Sequence, residues 1–353
     1  MTTIPRTRKE LTSFISDRLT MNREAQLATG KYRVHQLKVF WLEINPEHRP
    51  MAVFGPAWVV TDHDFHVRRS EPPSEDRTIW LDTGSPRVWY AFSFAPRHVV
   101  QRILREELLS ITGIDRVWLA ERFMEGVKKA HGYQGRGFGI YFRDTLAESP
   151  VQDERPRFSA KFWLGPSIPA RHQTFLSSAE GTFSKSSLRL GRPSEDSESK
   201  VSGLLMELYA EGSVTINISE DPEEVLGLVR EVGEEYAHQL TVMEESRHRT
   251  PRPIELRFGQ AIKLDRFQRL VETGIGKTRL WMQQYEDDGG LRRYVGVDLH
   301  TKEFINLDVA EDYAYLVTER NGCMNAAPRL MTLSAQRLSG KTEMYYEGAQ
   351  LFA

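Results

Sequence analysis

The chain has 353 residues, a formal net charge of −2 and 40% hydrophobic residues, a balance that excludes an intrinsically disordered chain and leaves room for about two domains. No apolar run approaches the roughly 20 residues of a membrane span, and no apolar stretch follows the basic N-terminus to make a secretory signal. The single cysteine, Cys323, excludes an internal disulfide or a multi-cysteine metal site and suits a reducing cytoplasm.

Leu11, Phe14, Ile15, Leu19 and Met21 share one face and predict a helix over 7–29 that Thr29-Gly30 ends. The signal then changes to strands: a run from Val34 to Ile44, Met51–Phe54, Ala57–Val60, Ile79–Leu81 and Val88–Phe94, broken by Gly55-Pro56 and Thr83-Gly-Ser-Pro86. Such β-branched and aromatic runs predict an antiparallel sheet, and five of the seven tryptophans between 41 and 118 predict a core of large rings. Pro96 opens a helix carrying Val99, Val100, Ile103, Leu104, Leu108 and Ile111, with Gly113 past its end. A strand at Val117–Leu119 and a helix over roughly 120–130 are expected next. The stretch His131–Asp144 follows as loop then strand, with another strand at Phe158–Leu164.

Gly191–Lys200 is polar and aperiodic and reads as a mobile loop. Val214, Ile216 and Ile218 alternate with polar residues as a half-buried strand. Asp221-Pro222-Glu223-Glu224 starts a helix with an acidic N-cap, Pro at N1 and a glutamate at N3 reaching back; Val225, Leu228, Val229, Val232 and Tyr236 are its buried stripe. A strand at 254–258 and a helix over 263–273 precede strands at 280–285, 293–299, 304–309 and 313–318 and a final pair around 329–346. The whole reads as α+β, two lobes dominated by antiparallel β-sheets with packed helices. The expected division is 1–95, an N-terminal helix and aromatic-rich sheet; 96–190, continuing that lobe; 191–203, a polar loop; and 204–353, a C-terminal lobe.

Charge is unevenly spread. Residues 155–192 carry seven bases and one acid, a local +6, with Phe158, Phe162, Trp163, Phe175 and Phe183 interleaved. Residues 194–245 carry fourteen acids against two bases (−12), and 246–281 nine bases against three acids (+6). Cations mixed with rings are what an unpaired nucleic-acid strand requires, although basic blocks also neutralise acidic ones within a fold.

Several short motifs carry chemistry elsewhere. Arg136-Gly137-Phe138-Gly139 resembles the first four places of the RNP1 signature of RNA-recognition motifs, with Ile140 where a stacking ring belongs. Gly139-Ile140-Tyr141-Phe142, with His131-Gly132, resembles ADP-ribosyltransferases of the poly-ADP-ribose polymerase type. That resemblance implies a ribose-holding His and a Tyr stacked on nicotinamide, but here His precedes Tyr by only ten residues. The plainer reading is a Gly-Arg-Gly turn feeding an aromatic strand. Gly276-Lys277-Thr278 resembles the end of a phosphate loop whose first glycine is replaced by Val271. Tyr294–Asp298 resembles the first strand of RNase H-like transposases, where the Asp binds metal, and with Lys302 and Glu303 loosely resembles a nuclease core. Asp62, Asp64 and His66 could share a strand face and hold a cation, but Asp-His-Asp reads better as a hairpin tip.

The expected function is therefore a cytoplasmic, non-enzymatic nucleic-acid (polyanion) binding protein, or a subunit of a nucleic-acid-associated complex in a setting such as host defence. Its contacts would be Arg136, Arg143, Arg155, Arg157, Lys161, Trp163 and Arg171. No cofactor, metal or membrane is expected. The alternatives are an enzyme, ADP-ribosyltransferase-like around Tyr141 or a metal-dependent nuclease around Asp298, and an oligomeric protein-interaction subunit.

Overall fold

The computed structural model describes residues 4–30, 36–50, 55–69, 77–143, 157–163, 184–194, 203–273, 278–320 and 322–352. Among them six helices accompany eighteen strands in antiparallel sheets, so the fold is α+β. In chain order come α1 (Arg8–Thr29), β1 (Leu37–Ile44), β2 (Trp58–Asp62), β3 (Phe65–Arg68), β4 (Ile79–Asp82), β5 (Val88–Ser93), α2 (Arg97–Glu107) and β6 (Ile114–Arg116). Then follow α3 (Glu121–Ala130), β7 (Gln134–Arg143), β8 (Arg157–Trp163), β9 (Lys185–Arg192), β10 (Leu204–Tyr209), β11 (Ser213–Ser219) and α4 (Pro222–Arg249). The remainder is β12 (Ile254–Phe258), α5 (Leu264–Thr273), β13 (Leu280–Asp287), β14 (Arg292–Asp298), β15 (Phe304–Val309), β16 (Tyr313–Thr318), α6 (Ala326–Ser334), β17 (Thr342–Tyr346) and β18 (Ala349–Leu351). Among the described residues no helix is long and apolar enough to cross a membrane. Contacts divide the chain into two units: Met1–Val117, Lys128–Gly135 and Arg189–Ala237 form the first, and Trp118–Val127, Arg136–Leu188 and His238–Ala353 the second. The units interleave along the chain, whereas the sequence reading divides it linearly.

In the first unit the strand order is β2-β3-β4-β5-β1-β11-β10, with β6 beside β1. All eight residues of β1 are buried, because the sheet is covered on both faces. Phe40, Leu42 and Ile44 join Val100, Ile103 and Leu104 of α2 in one cluster. On the opposite face Trp41 donates its indole N–H to the Val229 carbonyl of α4 (2.8 Å), and Phe14 of α1 packs on Trp80 and Phe94 at 5.6 Å. Gly233 lets α4 come this close: a Cβ there would lie 2.8 Å from the Tyr90 hydroxyl and 3.2 Å from Trp41 Cδ1. Truncating rings packed this way typically costs about 3–5 kcal/mol each. Glu43, fully buried in β1, is held by Arg87 (3.1 Å).

Local signals behave as elementary chemistry requires. Thr7 caps α1 through its hydroxyl, and Gly30 ends it in the left-handed region (φ 68°). Asp221 Oδ1 accepts from the amides of Glu223 and Glu224 at the start of α4. The reciprocal half of that cap is not made, because Glu224 binds Arg192 through two 2.7 Å bonds instead. Glu220 pairs with Arg23 and Glu211 with Arg116, so within this unit the acidic block meets bases from the N-terminal half as well as Arg192. β11 is buried on both faces rather than one.

In the second unit a sheet of order β13-β14-β15-β16-β12-β17-β18 buries one face. Phe267 of α5 packs on Phe258 (6.3 Å) and Tyr294 (6.1 Å). Gly296 allows β14 to pass Trp281 and Met282, since a Cβ there would lie 2.0 Å from the Trp281 carbonyl oxygen. The final strand pair begins later than expected: 326–334 is α6, buried all round, so no polar stripe announces it as a helix. β7 pairs with β8, and Gly139 brings β7 against β9, where a Cβ would sit 2.5 Å from Ser187 Oγ. Gly135-Arg136-Gly137, expected as a turn, belongs to β7; the turn is at His131-Gly132 (φ 62°). Likewise the strand expected at 117–119 is β6, three residues earlier, paired with β1 through Ile44↔Ile114.

Candidate functional site

The first unit contains a cleft of about 880 Å³ between the β2–β3 hairpin and α2. β2 and β3 pair through Trp58↔Arg68, Val59↔Val67 and Val60↔His66. Their turn is set by Asp64 at φ 55°, and Arg8 donates to the carbonyls of His63 (3.0 Å) and Asp64 (2.9 Å) while gripping Asp82. Arg68 and Arg69 close the hairpin, Arg77 follows in the chain, and Arg102, Glu106 and Glu107 come from α2. The helix turns Val100, Ile103 and Leu104 inward, which leaves Arg102 and Glu106 exposed. Val59, Val99 and Ile103 supply an apolar floor.

Electrostatics separates these arginines. Arg68 is spent on Glu107, with three N–H···O contacts of 2.5–3.0 Å, and that carboxylate also accepts from the Trp58 indole (2.8 Å). Arg69, Arg77 and Arg102 have no carboxylate partner among the described residues, and Arg69 Nε is buried without any hydrogen bond. Among the described residues, four arginines against Glu106 and Glu107 leave the cleft lining a net +2, carried by groups that stay charged at any physiological pH. Planar guanidinium forks beside an apolar floor match a phosphodiester with an attached base or sugar.

The sequence-derived contacts are distributed differently. In the β7–β8 ladder Arg143 stands opposite Arg157, Gly139 opposite Lys161 and Gly137 opposite Trp163. Position 136 has the other parity, so Arg136 lies on the opposite side of the ladder from Lys161. Lys161 is exposed; Arg136 is half-buried with its Nε unpartnered. Arg155 and Arg171 lie outside the described residues. Arg69, Arg77 and Arg102 were not singled out from sequence. The Arg68-Arg69 pair ending a strand was visible, but only the packing of α2 beside the hairpin adds Arg102.

The remaining motifs resolve as follows. Asp298 is buried and binds Arg329 (Oδ2 to Nη2, 2.7 Å), and its Oδ1 accepts from the His300 amide (2.9 Å). Glu303 accepts from the Thr301 hydroxyl and the Cys323 amide, and burial pushes its carboxyl above the ordinary range. Cys323 is buried and forms no disulfide. Asp62-His63-Asp64 is the hairpin tip, and His66 meets Thr83 Oγ1 at 3.3 Å; among the described residues this trio does not bring its ligand atoms together. Burial holds His66 below its ordinary value, with Asp64 pulling the other way. Tyr141 stands in β7 opposite Ser159, and Gly274–Lys277 lies outside the described residues.

The second unit carries one further surface. On the sheet face opposite α5, Trp281 (51% exposed) and Phe304 (65%) flank Val297 along the row Trp281↔Val297↔Phe304. Tyr285, Val295 and Val317 are also exposed on this sheet.

Fold and cleft thus define an α+β protein of two antiparallel-sheet units, the first with a cleft lined by four arginines, one of them paired with Glu107. Residues 3–348 match the family described as MJECL33-like protein, and the chain belongs to that family. No curated protein and no solved structure matches it.

Proposed function

We propose that this protein binds nucleic acid through the arginine cleft of its first unit. The observation that carries the reading is the trio Arg69, Arg77 and Arg102, which line a cleft of about 880 Å³ and have no carboxylate partner among the described residues. Unpaired guanidinium groups gain most from phosphate, whose bidentate geometry they match. The basic β7–β8 segment with Lys161 supplies a further cationic stretch of the same character. The reading makes the protein a cytoplasmic binding protein, or a subunit of a nucleic-acid-associated complex, rather than an enzyme; host defence is a setting compatible with that role. The test is fluorescence anisotropy with single- and double-stranded DNA and RNA at low salt. The Arg69→Ala/Arg77→Ala/Arg102→Ala variant is expected to bind at least tenfold more weakly while keeping its far-ultraviolet spectrum. Failure of the wild-type chain to bind any of the four polymers would sink the proposal.

The exposed row Trp281↔Val297↔Phe304 favours a second, compatible reading, a protein-interaction or self-associating subunit. Light scattering and co-purification of the wild-type chain against Trp281→Ser/Phe304→Ser test it. A monomer that recovers no partner in either form ends that reading.

A further inference from the structure

A separate cavity of about 160 Å³ lies wholly within the second unit. It is bounded by the start of α3, the first residues of β9, α6 and the turn after it, and β17 and β18. Its apolar wall is Ala120, Met331, Met344, Leu351 and Phe352. Cavities of roughly 150 Å³ lined this way accommodate a benzene-sized molecule.

The charged groups at its margin do not select an ion. Lys185 is held by Glu121 and Glu125, each at 3.0 Å. Burial pulls this ammonium down, but the two carboxylates outweigh it and hold the group above its ordinary range. Glu343 binds Arg122 and Lys341 and accepts from the Tyr345 hydroxyl (2.8 Å). Three cations and three anions therefore cancel, and each already has an opposite partner. A charged guest would have to break one of these pairs, so the site suits a neutral one.

Among the described residues, one fully buried polar atom of the lining is without a partner. Thr332 on α6 lines the cavity, is 3% exposed, and its Oγ1 has no hydrogen-bond partner among the described residues. The neighbouring Thr342 hydroxyl, by contrast, is bonded to Ser339 (2.9 Å). A buried hydroxyl without a partner is disfavoured, and a helical threonine has two accessible χ1 rotamers that exchange methyl and hydroxyl. A guest with its own hydroxyl would complete the missing bond while its ring fills the apolar space.

We propose that this cavity binds a small, neutral, ring-sized molecule bearing one hydroxyl, hydrogen-bonded to Thr332 and packed against Met331, Met344 and Phe352. This site does not depend on the nucleic-acid reading. The experiment is ligand-observed NMR titration of the full chain with phenol, benzene and benzoate. Phenol should bind more tightly than benzene, and benzoate should bind at least tenfold more weakly than phenol. Thr332→Val should weaken phenol by roughly three- to tenfold, the worth of one neutral hydrogen bond, and leave benzene unchanged. Ala335→Leu, which adds volume to the lining, should abolish both. The proposal is overturned if neither neutral ring binds the wild-type chain, if benzoate matches phenol, or if Thr332→Val leaves the phenol-to-benzene ratio unaltered.

Discussion

Replacing Asp298 separates a structural carboxylate from a catalytic one. Its side chain is 5% exposed and that of Arg329 is 0%, with 2.7 Å between Oδ2 and Nη2. Asp298→Ala takes the carboxylate from a fully buried guanidinium, which costs about 3–5 kcal/mol. It also removes the acceptor for the His300 amide, adding about 1 kcal/mol. Asp298→Asn keeps one acceptor oxygen but turns its NH2 donor toward the other N–H and gives up the charge, so its loss should approach that of Asp298→Ala, roughly 2–4 kcal/mol. Asp298→Ala/Arg329→Met removes both charges together and should recover most of the stability lost in the single variant. Urea denaturation followed by tryptophan fluorescence reads these four proteins and the Arg329→Met single variant, and the coupling between the two positions should exceed about 1.5 kcal/mol. Asp298→Ala within 1 kcal/mol of wild type, or a wild-type midpoint that rises with added Mg²⁺ or Mn²⁺ and not in the variant, would refute the reasoning and return Asp298 to a metal-binding role.

Three other perturbations follow from local geometry. Gly212 turns at φ 67°, and a Cβ there would fall 2.1 Å from the Val117 carbonyl oxygen; Gly212→Ala should lower the urea midpoint by the equivalent of about 2 kcal/mol or more, and a neutral result would mean the turn is not held in this conformation. Asp221→Ala removes the acceptor for two helix amides and should cost about 1 kcal/mol in the same assay; an unchanged midpoint would show that the start of α4 does not depend on its cap. His66 is held below 6.5 by burial, so the unfolded chain takes up its proton first as pH falls. Stability should therefore decline as pH drops below 6.5 toward the lower folded value, and be level again beneath that. His66→Gln should flatten this part of the pH profile of the midpoint; an identical profile would remove His66 as its source.

How much of this was legible depended on whether the signal was local. The helices starting at Thr7 and Asp221 announce themselves through caps, an apolar stripe and, for the first, a closing glycine, and both form. Hairpin chemistry at Asp62-His63-Asp64 was equally readable because an aspartate tolerates the positive φ of the tip. Two kinds of element escaped. β9 is rich in serine and arginine and looks polar, yet half its positions are buried. α6 is buried on every side and so has no period to detect. The cleft was invisible for a different reason: Arg69 and Arg102 are brought together by the packing of α2 beside a hairpin, not by spacing. In the basic segment, the β7–β8 register divides by parity residues that in sequence form a single block.

The central claim concerns the charge of the first unit's cleft, and salt reads it most directly. The slope of log Kd against log salt, measured between 50 and 300 mM for a single-stranded oligonucleotide, counts the phosphates that the protein neutralises. If Arg69, Arg77 and Arg102 each engage one, the triple alanine variant should show a slope shallower by about 2–3 than that of the wild-type chain. Equal slopes in the two proteins would place the bound polymer elsewhere and contradict the account.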